Sequence, residues 1–471
     1  MNKNKSVDIR ESKCVIFINP ASPNLDWEAQ RDQYGFVPIG LLYLEGLLRI
    51  HGYSVFLVDL YVQKFTSDEF KNYLLSLCSD PVFVGISSYT ECADVTLQIA
   101  AIVKKIYPGT RIIVGGPHAS FCSEEMIQSS DIDFVIRGEA EASVIQLLEH
   151  LKYPDHYPVD RVYGIVYKQS DDKLRIASIA PFITALDELP FPDHVLILDM
   201  QGYRKLPTFV SSRGCPGECI FCASKALSGR MYRMHSAEWI FSLIYYYFPI
   251  LKFSSFVPYD DTFTASPKRL EKFCSYIRTF EHKLFWSCKS RVDRLNEKCV
   301  KLLKEGYCTS VHIGVESGDE EILRSLQKYI TLKQVFHALK LLKQYQILAE
   351  CSFIIGHPDD TRETITKTII LAEIIEEFHL GSSVIAISTP FPGTEIHKNH
   401  EKFGIHIKTK PWYQYNLYTV IYTATGFSED DLRRGLYYYN YERKHGKTSL
   451  GLISPIEEKR IRQHFLADLQ L

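Results

Sequence analysis

Cys215, Cys219 and Cys222 lie in the run RGCPGECIFC, a Cys-x3-Cys-x2-Cys spacing that gathers three thiols on one short loop. Thiolates are soft ligands suited to iron–sulfur clusters and zinc. Gly214 and Gly217 permit the tight backbone such a loop needs, and Phe221 stands directly before the last cysteine. A structural zinc or an ordinary electron-transfer cluster is closed by four protein ligands. No obvious fourth ligand follows here, so the loop implies a metal centre with one open position, where a small molecule could bind and react. Three buried cysteines, or a zinc loop, is the plainer alternative.

The chain has twelve cysteines, and the other nine are scattered, as with Cys14 in CVIFIN and Cys351 in AECSFIIG. Such cysteines behave as small hydrophobes. Cys299 and Cys308 form no second compact ligand set, so no auxiliary cluster is expected. The polar N-terminus, MNKNKSVDIRESK, does not resemble a signal peptide, and a reducing cytoplasm suits the thiols. With 46% apolar residues, 23% charged and a net charge of -2 over 471 residues, the composition is that of a soluble globular protein. It gives no support for a nucleic-acid partner or an anionic membrane surface. No apolar run approaches the roughly 18 residues that span a bilayer, so no transmembrane segment is expected.

Two sets of elements must position this chemistry. Over residues 10–152, short β-branched runs (CVIFINP, YSVFLVDL, VFVGISS, RIIVGG, IDFVIRG) alternate with helical patterns such as IGLLYLEGLLRIHG and EASVIQLLEHLK. Continuous apolar strands between helices predict a doubly wound, Rossmann-like parallel sheet whose ligand lies at the strands' carboxyl ends. No GxGxxG follows the first strand, which argues against a dinucleotide. Ser87 and Ser88 end the third strand, and Gly115 and Gly116 end the fourth. Residues 153–200 read as a linker. From 201 to 398, six strand candidates (PTFVSSR, SSFVPYD, LFWSCKSR, SVHIGVES, ECSFIIG, SVIAISTP) alternate with helices and predict a partial (β/α)6 barrel. The cysteine loop follows the first of these strands, at the reactive end. Residues 399–471 read as a small, mostly helical, tyrosine-rich extension, either shaping the substrate pocket or packing on the surface.

The cysteine spacing and its surroundings resemble the radical S-adenosylmethionine (radical SAM) enzymes. That resemblance implies a 4Fe–4S cluster on Cys215, Cys219 and Cys222, with SAM chelating the fourth iron. It implies reductive cleavage of SAM to methionine and a 5′-deoxyadenosyl radical. Ser87-Ser88, then Gly115-Gly116 with twenty-five residues between Tyr89 and Gly115, and GGPHAS and DFVIRGEAE following, are similar to the cobalamin-binding domain of one branch of that family. Tyr89 stands where leucine is usual. Cobalamin would then be held near Ser87, Ser88, Gly115, Gly116, Gly138 and Glu139. The loop over residues 19–40 contains no histidine, so no imidazole axial ligand to cobalt is expected.

For SAM, the resemblance points to Phe221 beside the cluster and to Glu316 and Ser317 in HIGVESGDEEIL, with Glu316 near the ribose. Arg291 in CKSRVD would meet the SAM carboxylate or a neighbouring acid. Asp260 or Asp261 in PYDDTF would meet the SAM ammonium or cobalamin. For each charged residue a barrel-rim salt bridge is the alternative, and His312 and His357 read as core or capping histidines before acid–base groups. The resemblance implies a cobalamin-dependent methyltransferase acting on an unactivated carbon of a small molecule, or a non-methylating radical oxidase or cyclase. It also implies an electron donor of flavodoxin or ferredoxin type.

Overall fold

The computed structural model describes residues 13–21, 37–197 and 207–469. Most of the histidine-free loop over 19–40 lies outside the described residues. The chain divides into two compact units, Met1–Lys205 with Pro411–Gln414, and Leu206–Lys410 with Tyr415–Leu471.

The first unit runs β1 (Cys14–Asn19), α1 (Ile39–Ile50), β2 (Ser54–Asp59), α2 (Ser67–Leu77), β3 (Phe83–Ser87), α3 (Ala93–Ile106) and β4 (Arg111–Gly115). It continues through α4 (Pro117–Phe121), α5 (Ser123–Met126), β5 (Phe134–Ile136), α6 (Glu141–Lys152), β6 (Ile165–Lys168) and β7 (Leu174–Ile176). The sheet order is β2-β1-β3-β4-β5-β6-β7. Strands β1 to β5 pair in parallel, and β6 and β7 join antiparallel.

Because the order reverses between β1 and β3, right-handed crossovers place helices on opposite faces. Alternate residues of one strand therefore enter different cores. Ile16 and Ile18 pack with Val84, Ile86 and Val114, while Val15 and Phe17 pack with Leu42, Ile113 and Leu147. This double burial explains the unbroken apolar runs. Strands β6 and β7 fall within residues 153–200 and extend the sheet there.

The second unit begins with β8 (Thr208–Phe209), β9 (Ser212–Arg213), α7 (Ser224–Ser228), β10 (Arg233–Met234), α8 (Ala237–Leu251), β11 (Ser255–Pro258) and α9 (Pro267–Thr279). Then come β12 (Phe285–Ser290), α10 (Glu297–Glu305), β13 (Cys308–Glu316), α11 (Glu320–Ser325), α12 (Leu332–Gln344), β14 (Leu348–Ile355), α13 (Arg362–Glu377) and β15 (Ser382–Ile387). The chain ends with α14 (Glu395–Lys398), β16 (His406–Ile407), β17 (Tyr422–Thr423), α15 (Glu429–Asn440) and α16 (Pro455–Asp468). Its main sheet has six parallel strands in the order β15-β14-β13-β12-β11-β8.

Here the strands follow chain order without reversal, so right-handed crossovers put the connecting helices on one side. Burial obeys this. Cys288, Val311, Ile313, Cys351 and Phe353 are buried, whereas the alternating Lys289, His312, Glu350 and Ser352 are not. One face lies under helices and the other is less buried, with Lys289 exposed and His312, Glu350 and Ser352 partly so. The C-terminal helices pack back on α13, where Arg443 pairs with Glu376 at 2.7 Å and Arg462 with Glu373 at 3.3 Å. The buried Tyr422 hydroxyl donates to the Gly356 carbonyl and shares a hydrogen bond of 3.0 Å with Ser388 Oγ. Among the described residues, no helix is long and apolar enough to cross a membrane.

Candidate functional site

The cysteine loop leaves β9, which β10 pairs antiparallel. Gly214 adopts φ +82, and a Cβ there would collide with the Met231 carbonyl and lie 3.1 Å from Gly229 O. The loop is pinned by Cys215 N–H to Gly229 O at 3.3 Å, Cys222 N–H to Cys219 O at 3.2 Å, and Ile220 N–H to Leu326 O at 3.1 Å. A Cβ on Gly217 would sit 3.4 Å from Cys215 Sγ, 3.9 Å from Cys219 Sγ and 3.2 Å from Arg291 Nη1. Two thiols and a guanidinium thus converge on one bare backbone position.

The donor set discriminates between metals. Thiolates on one zinc lie about 3.8 Å apart, given Zn–S bonds of about 2.3 Å. The three sulfurs are not gathered within 4.8 Å of one another. Among the described residues only His118, Cys122 and Glu125 form such a set, and Glu125 already accepts from Trp412 Nε1 at 2.7 Å. At least one sulfur pair therefore exceeds the separation expected on a single zinc, as the corners of a polynuclear cluster held by the same loop would require. Burial pushes the Cys219 thiol up, with Lys328 and Arg291 opposing the shift. Binding of metal must therefore displace a proton.

Around the loop stand several of the candidates. Arg291 donates from Nε to Asp293 Oδ1 at 2.9 Å and from Nη2 to Lys328 O at 3.0 Å. Glu316 ends β13 in the left-handed region, at φ +74, a conformation costing a non-glycine residue about 1–3 kcal/mol. It makes a buried ion pair with Lys328 at 2.8 Å. Gly314 creates the room, since a Cβ there would lie 2.9 Å from Lys328 Nζ and closer to the Glu316 carboxylate. Lys328 was not singled out by the sequence, because no motif marks the turn LQKYI. The register shift between Gly314 and Glu316 that aims this pair was equally invisible.

Other candidates are occupied within the protein. Asp260 is fully buried and accepts from Ser211 N–H at 2.6 Å, Ser211 Oγ at 2.6 Å and Ser212 Oγ at 2.5 Å. Arg269 closes this knot at 3.4 Å and also holds the Ser211 carbonyl at 2.9 Å. Asp261 accepts from Ser224 Oγ, just past Cys222. Ser317 is buried, bonded to Thr368 Oγ1 at 3.2 Å and to Asp319 N–H at 3.2 Å. Phe221 packs 5.9 Å from the His357 ring.

In the first unit, Ser87 registers with Gly115, and Ser88 N–H donates to Gly115 O at 2.8 Å. Gly116, at φ +99, lies where a Cβ would approach Ser88 N and O at 2.9 Å. Ser120 Oγ bridges the next loop, donating to Gly116 O at 2.9 Å and accepting from Gly138 N–H at 3.0 Å. Ser87, Ser88, Gly115, Gly116 and Gly138 are thereby collected at the carboxyl ends of β3, β4 and β5, with Glu139 following. A Cβ on Gly115 would meet nothing closer than Ile136 O at 3.8 Å, so this edge is bare enough for a bulky ligand's chain to lie against it. Asn19 and Asp59, joined at 3.0 Å across the ends of β1 and β2, belong to the same edge and were missed, because single polar residues ending strands carry no distinctive spacing.

Residues 33–148 match the B12 binding domain family and residues 209–372 match the radical SAM superfamily. An uncharacterized methyltransferase of Pyrococcus horikoshii is 33% identical over 367 residues, 76% of this chain and 77% of that protein. An anaerobic magnesium-protoporphyrin IX monomethyl ester cyclase of Rubrivivax gelatinosus is 26% identical, covering 89% of this chain and 75% of its own. Among solved structures, the radical SAM methyltransferase TsrM from Kitasatospora setae, with cobalamin and a [4Fe-4S] cluster bound, superposes with a TM-score of 0.72. It does so at 16% identity over 98% of this chain and 99% of that one.

Proposed function

The chain belongs to the radical SAM superfamily, among the members that also carry a B12 binding domain, and from that premise we propose that it methylates an unactivated carbon of a small-molecule substrate. When bound, a 4Fe–4S cluster with SAM supplies a 5′-deoxyadenosyl radical, and cobalamin supplies a methyl carrier. The protein's own residues have separate tasks. Cys215, Cys219 and Cys222 hold the cluster by one loop. Arg291 and Lys328 set positive charge beside these thiols, which stabilises the thiolates and suits a carboxylate at the open coordination position. Glu316, fixed by Lys328, offers an acceptor for ribose hydroxyls. Asp260 and Arg269 hold the Ser211-Ser212 backbone that launches the loop, and Asp261 tethers its far end through Ser224. In the first unit, Ser87, Ser88, Gly115, Gly116, Gly138 and Glu139 form the cobalamin edge. The electron comes from an external flavodoxin- or ferredoxin-type donor, in a reducing cytoplasm.

The observation that carries this reading is three thiols on one loop, with at least one sulfur pair more than 4.8 Å apart and with Arg291 and Lys328 acting on Cys219 as nearby cations. Its test is anaerobic product analysis of reconstituted protein with SAM, a reductant and candidate substrates. S-adenosylhomocysteine and 5′-deoxyadenosine should form together. A second reading, oxidation or cyclisation without methyl transfer, is favoured by the cyclase relative that spans 89% of this chain. It predicts 5′-deoxyadenosine alone. Cys219→Ala should abolish cluster formation, and SAM cleavage by that variant would sink both readings.

A further inference from the structure

On the less buried face of the six-stranded sheet, Lys289, His312 and Glu350 are register partners on the adjacent strands β12, β13 and β14. Adjacent strands lie about 4.8 Å apart, so a cation, an imidazole and a carboxylate stand in one row. His312 Nε2 shares a hydrogen bond of 2.5 Å with Ser352 Oγ, one step further along the same face of β14. Lys289 lies 6.0 Å over the Tyr259 ring. Neither Lys289 nor Glu350 has a hydrogen-bond or ion-pair partner among the described residues. Burial, then the nearby Lys289 ammonium, holds the His312 imidazole below its ordinary pKa. The neutral ring can both donate and accept.

The row sits close to the reactive end. Arg291 lies two residues beyond Lys289 on the same face, a rise of about 7 Å, and Glu316 closes β13 four residues beyond His312. An apolar substrate covering this face would strip water from Lys289 and Glu350 without replacing it, at a cost of several kcal/mol per charge. The same face also carries apolar side chains, with Val384 beside Ser352 in register, Leu348 and Ile354 on β14 and Phe285 on β12, so apolar parts of a substrate can lie against it once the charges are met.

We infer that this row is the substrate's polar anchor, taking a small water-soluble molecule with an anionic group for Lys289 and hydroxyl or amino donors for Glu350 and the His312–Ser352 pair. The inference deepens the proposed radical SAM reading and rests on it. It excludes a wholly apolar substrate, which would leave both charges unanswered.

The test supplies reconstituted holoenzyme with trideuteromethyl-labelled SAM and the aqueous and lipid phases of an extract of its source cells, followed by mass spectrometry. A labelled or consumed compound in the aqueous phase, carrying an acid and a hydroxyl or amine, is the expected result. Glu350→Gln and Lys289→Met should each lower the ratio of that product to 5′-deoxyadenosine at least tenfold, with Glu350→Asp recovering part of it. The purified product should bind each variant at least tenfold more weakly in equilibrium dialysis, a readout independent of turnover. Label only in the lipid phase, an unchanged product ratio, or a changed KM for SAM with no change in that ratio overturns the anchor while leaving the enzyme reading intact. Failure to cleave SAM at all overturns the enzyme reading, and the anchor with it.

Discussion

Glu316 and Lys328 show how a single buried pair shapes the site. Each side chain is only 8% exposed, and they meet at 2.8 Å. Removing one partner of such a pair strands the other, at about 3–5 kcal/mol, whereas removing both costs far less. Lys328→Met should therefore destabilise the protein more than the double variant Lys328→Met/Glu316→Leu, as read by urea midpoints of the apoprotein. Equal losses would show that the pair is not coupled. His357 offers a second measurement. Its ring is buried with no hydrogen-bond partner on either nitrogen among the described residues, and burial holds its pKa down to about 3. The folded state refuses a proton that the unfolded chain accepts near pH 6.5. Its contribution is thus complete above that pH and is lost as pH falls toward about 3. His357→Leu should lower the sensitivity of the urea midpoint between pH 7 and 5; an unchanged slope would show the ring is not held neutral. The cluster cysteines were legible from their spacing, and Glu316 from the resemblance of the segment that carries it. Lys328 was not, because its role depends on a turn meeting a bulged strand.

At the scale of elements, periodicity was the readable part. Unbroken apolar runs in β1, β3 and β4 and helical stripes in α1, α3 and α6 emerge where the pattern places them, as do the six strands of the second sheet. The short hairpin β6–β7 was hidden because Leu174–Ile176 is largely exposed and so carries little alternation. Helix α2 begins at a capping box, Thr66 with Glu69, and buries only Phe70 and Leu74, so its apolar stripe was too thin to read. Asp260 illustrates a different limit. Its sequence neighbourhood suggested a ligand contact, yet its side chain knots the β8–β9 turn, a tertiary fact with no local signature. We expect Asp260→Asn to lower cluster loading severalfold, measured as iron per chain, while far-ultraviolet circular dichroism stays unchanged. Full iron loading would show that the knot does not position the loop.

Across the whole molecule, each unit has its own sheet and buried core, so unfolding need not be a single cooperative event. A ligand that binds only one folded unit stabilises that unit, by about 2.7 kcal/mol at a hundredfold excess over Kd. Cobalamin added to the cluster-free protein should raise one calorimetric transition and leave the other in place. Gly116→Ala, which forces a side chain against Ser88 at φ +99, should abolish that selective shift. A uniform rise of all transitions would show that cobalamin is not held by the first unit alone.

The alternation along β12, β13 and β14 has an evolutionary consequence. Residues such as Cys288, Val311, Ile313 and Phe353 face the helices and are buried, and mutation there is taxed by lost packing. Their immediate neighbours Lys289, His312, Glu350 and Ser352 carry no such debt. Each strand therefore transmits two interleaved inheritances, one constrained by folding and one, on the proposed reading, only by the molecule it binds. A lineage could exchange substrates by changing every second residue of three strands and never leave the folded population on the way.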